Sequence, residues 1–351
     1  MANTFKTFLN SDVANTRTLL HEAIPITGSI VSGTYLSDGN VKTFAHGMFE
    51  AVYDYPYLSS SANHIFDVTY GYAASSVLSG SDHTQNAKKI NIYNQHAQVL
   101  SGYDVTGAIE PFDQDGDVAA GGDKMRSCFF LNFSRLLIKD EIKKDSVRLA
   151  LYSTSSNPGD AGDRLGGKTI GDYGAATNFK VNSPAGEYGL LYTASAAPKG
   201  DIIGHVYYQA GIVVITSSFF SGSFADPDNI RPDAPLAAIA KTITGSTITE
   251  LANGFRYTID DMNFNNTTEL NSTIYFCRAN TQDYNYSANP TYLSASKIIV
   301  KNDNPKAEPV SYLTTVGLYS ADNELLAVAK VSEPLKKSPS NELTLRVRLD
   351  Y

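Results

Sequence analysis

The segment GDRLGGKT, from Gly162 to Thr169, matches the phosphate-binding pattern G-x-x-x-x-G-K-[ST]. In such a loop the backbone amides and the N-terminus of a following helix point at the phosphates, so a strand must precede it and a helix must follow. The upstream strand pattern SVRLALYS ends well before Gly162, and the downstream stretch IGDYGAATNFKVNSP contains glycines and a proline that disfavour a helix. We therefore interpret the segment as a surface loop that orders against a neighbour.

Three aspartates alternate in DQDGDVAAGGDK, at Asp113, Asp115 and Asp117, as they do at the start of a calcium-binding loop. That loop requires glycine at its sixth position and glutamate at its twelfth, where this chain has Val118 and Lys124. The pattern predicts a solvated acidic turn, with an irregular calcium site as the alternative.

No other residues form a catalytic pattern. The histidines lack ligand spacings such as H-x-x-x-H, and no serine lies in a G-x-S-x-G elbow. Asp260–Asp261 is a carboxylate pair of the kind that a glycosidase uses, but such pairs are common in loops. We predict no catalytic, cofactor-binding or metal-binding residues, no cofactor and no enzymatic activity. The histidines are His21, His46, His64, His83, His96 (predicted to pack or cap) and His205.

Charge and composition limit the partners. The formal net charge is −8 and the longest basic runs are Lys-Lys pairs, whereas a nucleic-acid reader needs a basic face. No stretch approaches the roughly 18 apolar residues of a membrane span, and the first residues do not resemble a signal peptide. We expect neither nucleic-acid nor membrane binding, and synthesis in a cytoplasm. Cys128 and Cys277 are predicted to be buried thiols.

The elements that would position these residues are mostly strands. Twenty-two tyrosines, sixteen phenylalanines and frequent threonine favour half-buried pleated surfaces. Period-two alternation predicts strands at HIFDVTYGYA, SVRLALYS and NELTLRVRLDY, and hairpins at HVYYQAGIVVIT and YLTTVGLYSADNELLAVAKVS. Apolar spacing predicts a helix over NAKKINIYNQHAQVLSGYD that ends at Gly102, a second short helix at STITELANGF before an Asn253–Gly254 turn, and two helical turns at TRTLLHEAI.

We therefore predict a mainly β protein of antiparallel, sandwich-like sheets with a few short α-helices and long loops. Residues 1–45 are predicted to form an extended N-terminal arm, and residues 46–235 a β-rich region with a glycine-rich docking loop inserted at 153–189. Residues 236–351 are predicted to form a C-terminal β region that ends in a strand. The break is placed at DPDNIRPDAP, where three prolines interrupt the pattern.

The chain resembles virion structural proteins of large, contractile-tailed bacteriophages, especially marine ones. Its order of elements is also similar in outline to baseplate wedge subunits. The resemblance lies in packing residues from position 62 onward, in ANHIFDVTYGYAASS, KKINIYNQHAQVLSGYD, LNFSRLLIKDEIKKDSVRLAL, YLTTVGLYSADNELLAVAKVSEPLKK and LTLRVRLDY.

The resemblance implies a non-enzymatic, β-rich building block of the virion, assembled in the host cytoplasm. Its implied partners are other tail, baseplate or neck proteins and copies of itself in a symmetric ring. A receptor-binding tail fibre and a glycan depolymerase stay open as alternatives. Loops rich in Tyr, Ser, Asn and Gly suit adaptable contact surfaces, which agrees with the main interpretation.

Replacing Lys168 tests the interpretation of GDRLGGKT. We expect no ATP or GTP binding by the wild-type chain and no change in Lys168→Ala, because the strand and helix that a phosphate loop requires are not predicted there. Isothermal titration calorimetry with both nucleotides measures this. Binding that the substitution abolishes would contradict the interpretation.

Overall fold

The computed structural model describes residues 6–35, 39–80, 82–117, 122–152, 167–195, 200–220, 243, 245–285 and 308–351, and the backbone of 154–155, 164–165, 293–294 and 297–298. The chain divides into two compact units, one of Leu20–Thr268 and one of Met1–Leu19 together with Glu269–Tyr351. The predicted break at DPDNIRPDAP lies outside the described residues.

The protein is mainly β, which confirms the predicted fold class. Its strands are β1 (Val13–Pro25), β2 (Val41–Thr43), β3 (Glu50–Tyr53), β4 (His64–Tyr72), β5 (Phe112–Asp113), β6 (Lys124–Met125), β7 (Ser127–Phe133), β8 (Glu141–Ile142), β9 (Arg148–Leu151), β10 (Thr154–Ser155), β11 (Arg164–Leu165), β12 (Lys168–Gly171), β13 (Lys180–Ser183), β14 (Gly186–Tyr192), β15 (Ile202–Tyr207), β16 (Ile212–Thr216), β17 (Ile259–Ala279), β18 (Leu293–Ser294), β19 (Lys297–Ile298), β20 (Ser311–Tyr319), β21 (Leu325–Lys337) and β22 (Leu343–Asp350).

Fourteen of these strands form one antiparallel sheet. Its order is β1-β17-β9-β12-β14-β15-β16-β7-β4-β3-β2, with β13 beside β14 and with β8 and β22 beside β17. The remaining strands pair in twos, as β5–β6, β10–β11, β18–β19 and β20–β21. Strands β1 and β17 each contribute residues to both units.

Three α-helices accompany the strands in the described part of the chain: α1 (Asn86–Leu100), α2 (Arg135–Ile138) and α3 (Ile248–Thr258). Helix α1 confirms the predicted helix, and Gly102 beyond its end has φ +87°, the left-handed conformation that glycine adopts without strain. Helix α3 begins with a capping box, in which Thr247 Oγ1 accepts from the Glu250 amide at 3.2 Å and Glu250 accepts from the Thr247 amide at 2.6 Å.

Two hairpins and the terminal strand are confirmed. Gly211, with φ +68°, makes the turn between β15 and β16, and Asn323, with φ +64°, lies in the turn between β20 and β21. Strand β22 pairs with β17 along its whole length, and its predicted apolar face is the less exposed one. Local alternation and turn residues mark these elements in the sequence, which explains why the pattern predicts them.

Three local predictions are wrong. TRTLLHEAI is not helical but lies in β1, where pairing with the distant β17 overrides the helical spacing of its apolar residues. Asn253–Gly254 makes no turn but lies inside α3, whose cap and buried face outweigh the low helix propensity of glycine. The described part of the glycine-rich region 153–189 contains strands β10 to β13 and the start of β14 rather than a continuous loop.

Strand β4 is covered on both faces, which explains why nearly all of its residues are buried instead of alternating. On one face Phe129 of the neighbouring β7 stacks on Phe255 of α3, with ring centroids 5.1 Å apart. On the other face Gly71 lies against the backbone of α1, where a Cβ atom would stand 2.6 Å from the Lys89 carbonyl oxygen and 2.7 Å from the Tyr93 amide nitrogen. Only glycine permits this close approach of helix and strand.

Replacing Gly71 tests this packing. We expect Gly71→Ala to lower the free energy of unfolding by about 3 kcal/mol, because the added methyl group meets rigid backbone atoms of α1. Urea denaturation followed by circular dichroism measures the change. Gly80→Ala is the matched control, since no described residue beyond its chain neighbours lies within 4 Å of a Cβ atom there. Equal effects of the two substitutions would contradict the proposed contact.

Candidate functional site

A shallow pocket with acidic and aromatic walls lies in the larger unit, between the end of α1, strands β13 to β15 and the β5–β6 hairpin. It has room for about one water molecule. The residues that line it are Leu100, Ser101, Glu110, Pro111, Asp113, Asn182, Ser183, Tyr188, His205 and Tyr207.

The three predicted aspartates come together beside this pocket. Each of Asp113, Asp115 and Asp117 offers a carboxylate oxygen, and the three oxygens lie within 4.8 Å of one another. Asp113 is buried, whereas Asp115 and Asp117 are exposed. The chain turns between them at Gly116, which has φ +71°, and its carbonyl oxygen accepts from Asn182 Nδ2 at 3.0 Å. These are the oxygen ligands that a hard cation such as Ca²⁺ takes.

Lys124 supplies positive charge to the buried end of this cluster. It lies opposite Asp113 in the β5–β6 pair, and its Nζ atom is 2.8 Å from Asp113 Oδ2 and 3.4 Å from Glu110 Oε1. Burial alone would lower the pKa of Lys124, but the hydrogen bonds that it donates to Asp113 and Glu110, together with their negative charges, outweigh burial and raise that pKa. The ammonium group therefore offsets part of the negative charge of Asp113 and Glu110 at this end. This arrangement agrees with the predicted acidic turn.

His205 forms the aromatic wall of the pocket. Its side chain is buried between Tyr188 and Tyr207, with ring centroids 5.1 Å and 6.1 Å away. Nε2 lies 3.4 Å from the Gln114 carbonyl oxygen and so carries the proton, which leaves Nδ1 to accept from the Tyr207 hydroxyl at 3.4 Å. Burial lowers the pKa of His205 to about 4, so the imidazole is neutral at pH 7.

The chemistry that this arrangement offers is limited. A histidine with a pKa of about 4 is a weak base at neutral pH, where an effective general base titrates near the working pH. Burial also raises the pKa of the Tyr188 phenol, to about 12. The phenol donates to Asn182 Oδ1 at 2.8 Å. The pocket is thus a hydrogen-bonded junction that fixes the acidic turn against the sheet.

The phosphate-loop pattern lies elsewhere, and its end is a strand. Lys168 and Thr169 are exposed residues of β12 and pair with Leu151 and Ala150 of β9. A helix N-terminus, which the phosphate-binding geometry requires, does not occupy these positions. Gly162, at the start of the pattern, lies outside the described residues.

The other residues singled out in the sequence take part in local contacts. Asp261 accepts from Thr27 Oγ1 at 2.6 Å and from Asn263 Nδ2 at 2.8 Å. His96 packs on Phe130, with ring centroids 4.0 Å apart, as predicted. Cys128 is buried as predicted, whereas Cys277 is only partly buried.

Four other histidines lie apart from the pocket. His64 Nε2 is 2.7 Å from Asp67 Oδ1 and His21 Nδ1 is 3.2 Å from Thr267 Oγ1. His46 is exposed and stacks on Phe44, with ring centroids 5.1 Å apart. Burial lowers the pKa of His83. The described residues contain one group that could hold a metal ion, the three aspartates.

The sequence pattern did not identify the role of His205. The alternation in HVYYQ places His205 and Tyr207 on one face of β15, which was a usable signal. The Asp113 turn and Tyr188 reach that face from other parts of the chain, and no local pattern predicts such a meeting.

The chain matches no family model, and no curated protein or solved structure matches it either. Within the residues that the structure describes, no helix combines the length and the apolar character needed to cross a membrane.

The buried imidazole predicts a pH dependence of stability. Its folded-state pKa of about 4 lies below the ordinary value of 6.5, so the unfolded chain binds a proton first as the pH falls. We expect His205 to contribute a loss of about 3 kcal/mol in the free energy of unfolding between pH 6.5 and pH 4.

Urea denaturation across this pH range measures the dependence. His205→Gln should flatten it while lowering stability at pH 7, and His46→Gln, at an exposed histidine, should leave the slope unchanged. The slope should not vanish in His205→Gln, because burial also lowers the pKa of His96. An unchanged slope in His205→Gln would show that the imidazole is not held neutral.

Proposed function

We propose that the chain is a structural subunit of a tailed-phage virion, in the tail or baseplate, that works through protein–protein contacts. The phage assignment is supported by the resemblance of its packing patterns to virion structural proteins. The building-block role is supported by the mainly β fold and by one feature of the smaller unit, its β20–β21 hairpin.

This hairpin, which we name the β20–β21 ribbon (Ser311–Lys337), is the observation that carries the proposal. It forms a separate two-stranded sheet, and a two-stranded ribbon is marginally stable in water unless another layer covers it. Five large apolar side chains on it are between 44% and 67% exposed. They are Tyr312, Tyr319, Leu325, Leu326 and Val328.

Exposed apolar side chains gathered on one element indicate a contact surface. The larger unit has apolar cores on both faces of β4 and β7. A subunit of this kind is completed by its neighbours in an assembly. The aromatic share of the ribbon fits this role, because tyrosine provides contact area at a small cost in side-chain entropy.

Mass spectrometry of purified virions tests the proposal. We expect the chain in particles of the phage that encodes it, and in isolated tails, at a copy number compatible with six-fold or twelve-fold symmetry. Absence of the chain from purified virions would contradict the proposal.

Two further assays separate the alternatives. A receptor-binding fibre should form a trimer that resists SDS and should bind host cells, and a depolymerase should release reducing sugars from host polysaccharide. We expect neither result for a tail or baseplate subunit.

A further inference from the structure

We propose that Lys124 and Asp113 become joined covalently, through an amide bond between Lys124 Nζ and Asp113 Cγ that forms within the folded chain. Glu110 carries a proton in this reaction. The product is a cross-link across the β5–β6 hairpin. The inference is independent of the proposed function, and its test requires only the purified chain.

The strand register holds the two reacting groups against each other. Asp113 is the partner of Lys124 in the β5–β6 pair, and Lys124 Nζ is 2.8 Å from Asp113 Oδ2. One C–O bond separates Oδ2 from Cγ, so the nitrogen lies close to the distance of about 3–3.5 Å from which a held nucleophile attacks. The fold thus replaces an encounter in solution by a step within one molecule.

A second carboxyl group faces the same lysine. Glu110 Oε1 is 3.4 Å from Lys124 Nζ, on a residue other than the one that reacts. The backbone of Glu110 is held in place, because its amide donates to the Gly102 carbonyl oxygen at 3.0 Å. Glu110 can therefore exchange a proton with Nζ while Asp113 provides the carbon that is attacked.

Burial favours the amide over the ion pair. The side chains of Asp113, Lys124 and Glu110 are only 2%, 12% and 13% exposed. Taking an ammonium and a carboxylate out of water carries a desolvation penalty, and amide formation removes both of these charges. The site also keeps bulk water, which would hydrate the ammonium group, largely away from Nζ.

The reaction balances with water as its leaving group. Glu110 accepts a proton from the Lys124 ammonium group, and the freed lone pair of Nζ attacks Asp113 Cγ to form the N–C bond. One Cγ–O bond then breaks, and its oxygen leaves as water with one proton from Nζ and one returned by Glu110. Nothing is oxidised or reduced. The chain modifies itself once in this way and does not turn over a substrate.

The pocket beside these residues provides a place for the leaving water. Glu110 and Asp113 both line it, and it has room for about one water molecule. The water therefore forms next to a space that can accept it.

Other ion pairs of the same kind lack this combination of features. Three other lysine–carboxylate pairs in the described residues have side chains between 22% and 62% exposed, and each joins a lysine to one carboxylate. They are Lys6–Asp283, Lys139–Glu22 and Lys144–Glu187. Lys124 is distinguished from these lysines by its burial and by its two carboxylate partners.

Mass spectrometry of the purified, denatured chain tests the inference. We expect the wild-type chain to be one water molecule lighter than its sequence mass, apart from any removal of Met1, and Lys124→Arg to have its full mass. Trypsin should leave residues 90–126 of the wild type as one fragment, because an acylated Lys124 is not cleaved. A protease that cleaves before aspartate should leave the peptides that contain Asp113 and Lys124 joined.

Replacing Glu110 checks its role in proton transfer. Glu110→Gln keeps the size of the side chain but cannot carry the proton, so we expect cross-linking to slow at least about 100-fold, measured by the mass of the chain at successive times after synthesis. Lys144→Arg is the matched control, because Lys144 also pairs with a carboxylate, and it should leave the loss of water unchanged. Circular dichroism should show the same fold for every variant.

Three outcomes would overturn the inference. These are a wild-type chain at its full sequence mass, a loss of water that persists in Lys124→Arg, or cross-linking at an unchanged rate in Glu110→Gln. A succinimide at Asp115–Gly116 would also remove one water molecule, but it would persist in Lys124→Arg and would leave cleavage by trypsin after Lys124 intact. None of these outcomes bears on whether the chain occurs in virions.

Discussion

The buried ammonium group of Lys89 joins the elements on the two faces of β4, and the packing of the larger unit depends on it. Its Nζ atom donates to the carbonyl oxygens of Ile243 and Ser246, at 2.8 and 2.6 Å, and lies 5.9 Å from the centre of the Tyr72 ring. Burial lowers the pKa of Lys89 to about 8, so the group still carries its charge at pH 7. Gly71 lets α1 pack directly on β4, which fixes the position of Lys89 on the helix. The Ile243 and Ser246 carbonyl groups lie where they can accept from its ammonium group. The chain then enters α3 immediately after Ser246.

A second buried charge fixes the other end of α3. Arg256 and Glu50 are both fully buried, with Arg256 Nε 3.6 Å from Glu50 Oε2. Thr43 Oγ1 donates to Glu50 at 3.0 Å, and the guanidinium group also donates to the Tyr35 carbonyl oxygen. Apolar contacts such as Phe255 on Phe129 are non-directional and tolerate a shifted helix. The hydrogen bonds at the two ends of α3 do not tolerate a shifted helix, because a shift would leave buried polar groups without partners.

The sequence predicts the elements whose form is local. Alternation identifies β22, turn residues identify the β15–β16 hairpin, and apolar spacing with Gly102 identifies α1. The prediction from sequence is wrong for β1. Leu19, Ala23 and Ile24 fit a helical stripe, but the segment pairs with β17, which lies more than two hundred residues later in the chain. The candidate site divides in the same way. The Asp113–Asp117 alternation can be recognised in the sequence. The contacts of His205 and Lys124 form only when folding brings distant parts of the chain together.

Strand β1 is an end strand of the sheet order and is exposed along most of its length, which makes it a template for unwanted pairing. It carries the features that discourage pairing: Pro25 at its end, and the charged residues Arg17 and Glu22, which form ion pairs with Glu269 and Lys139.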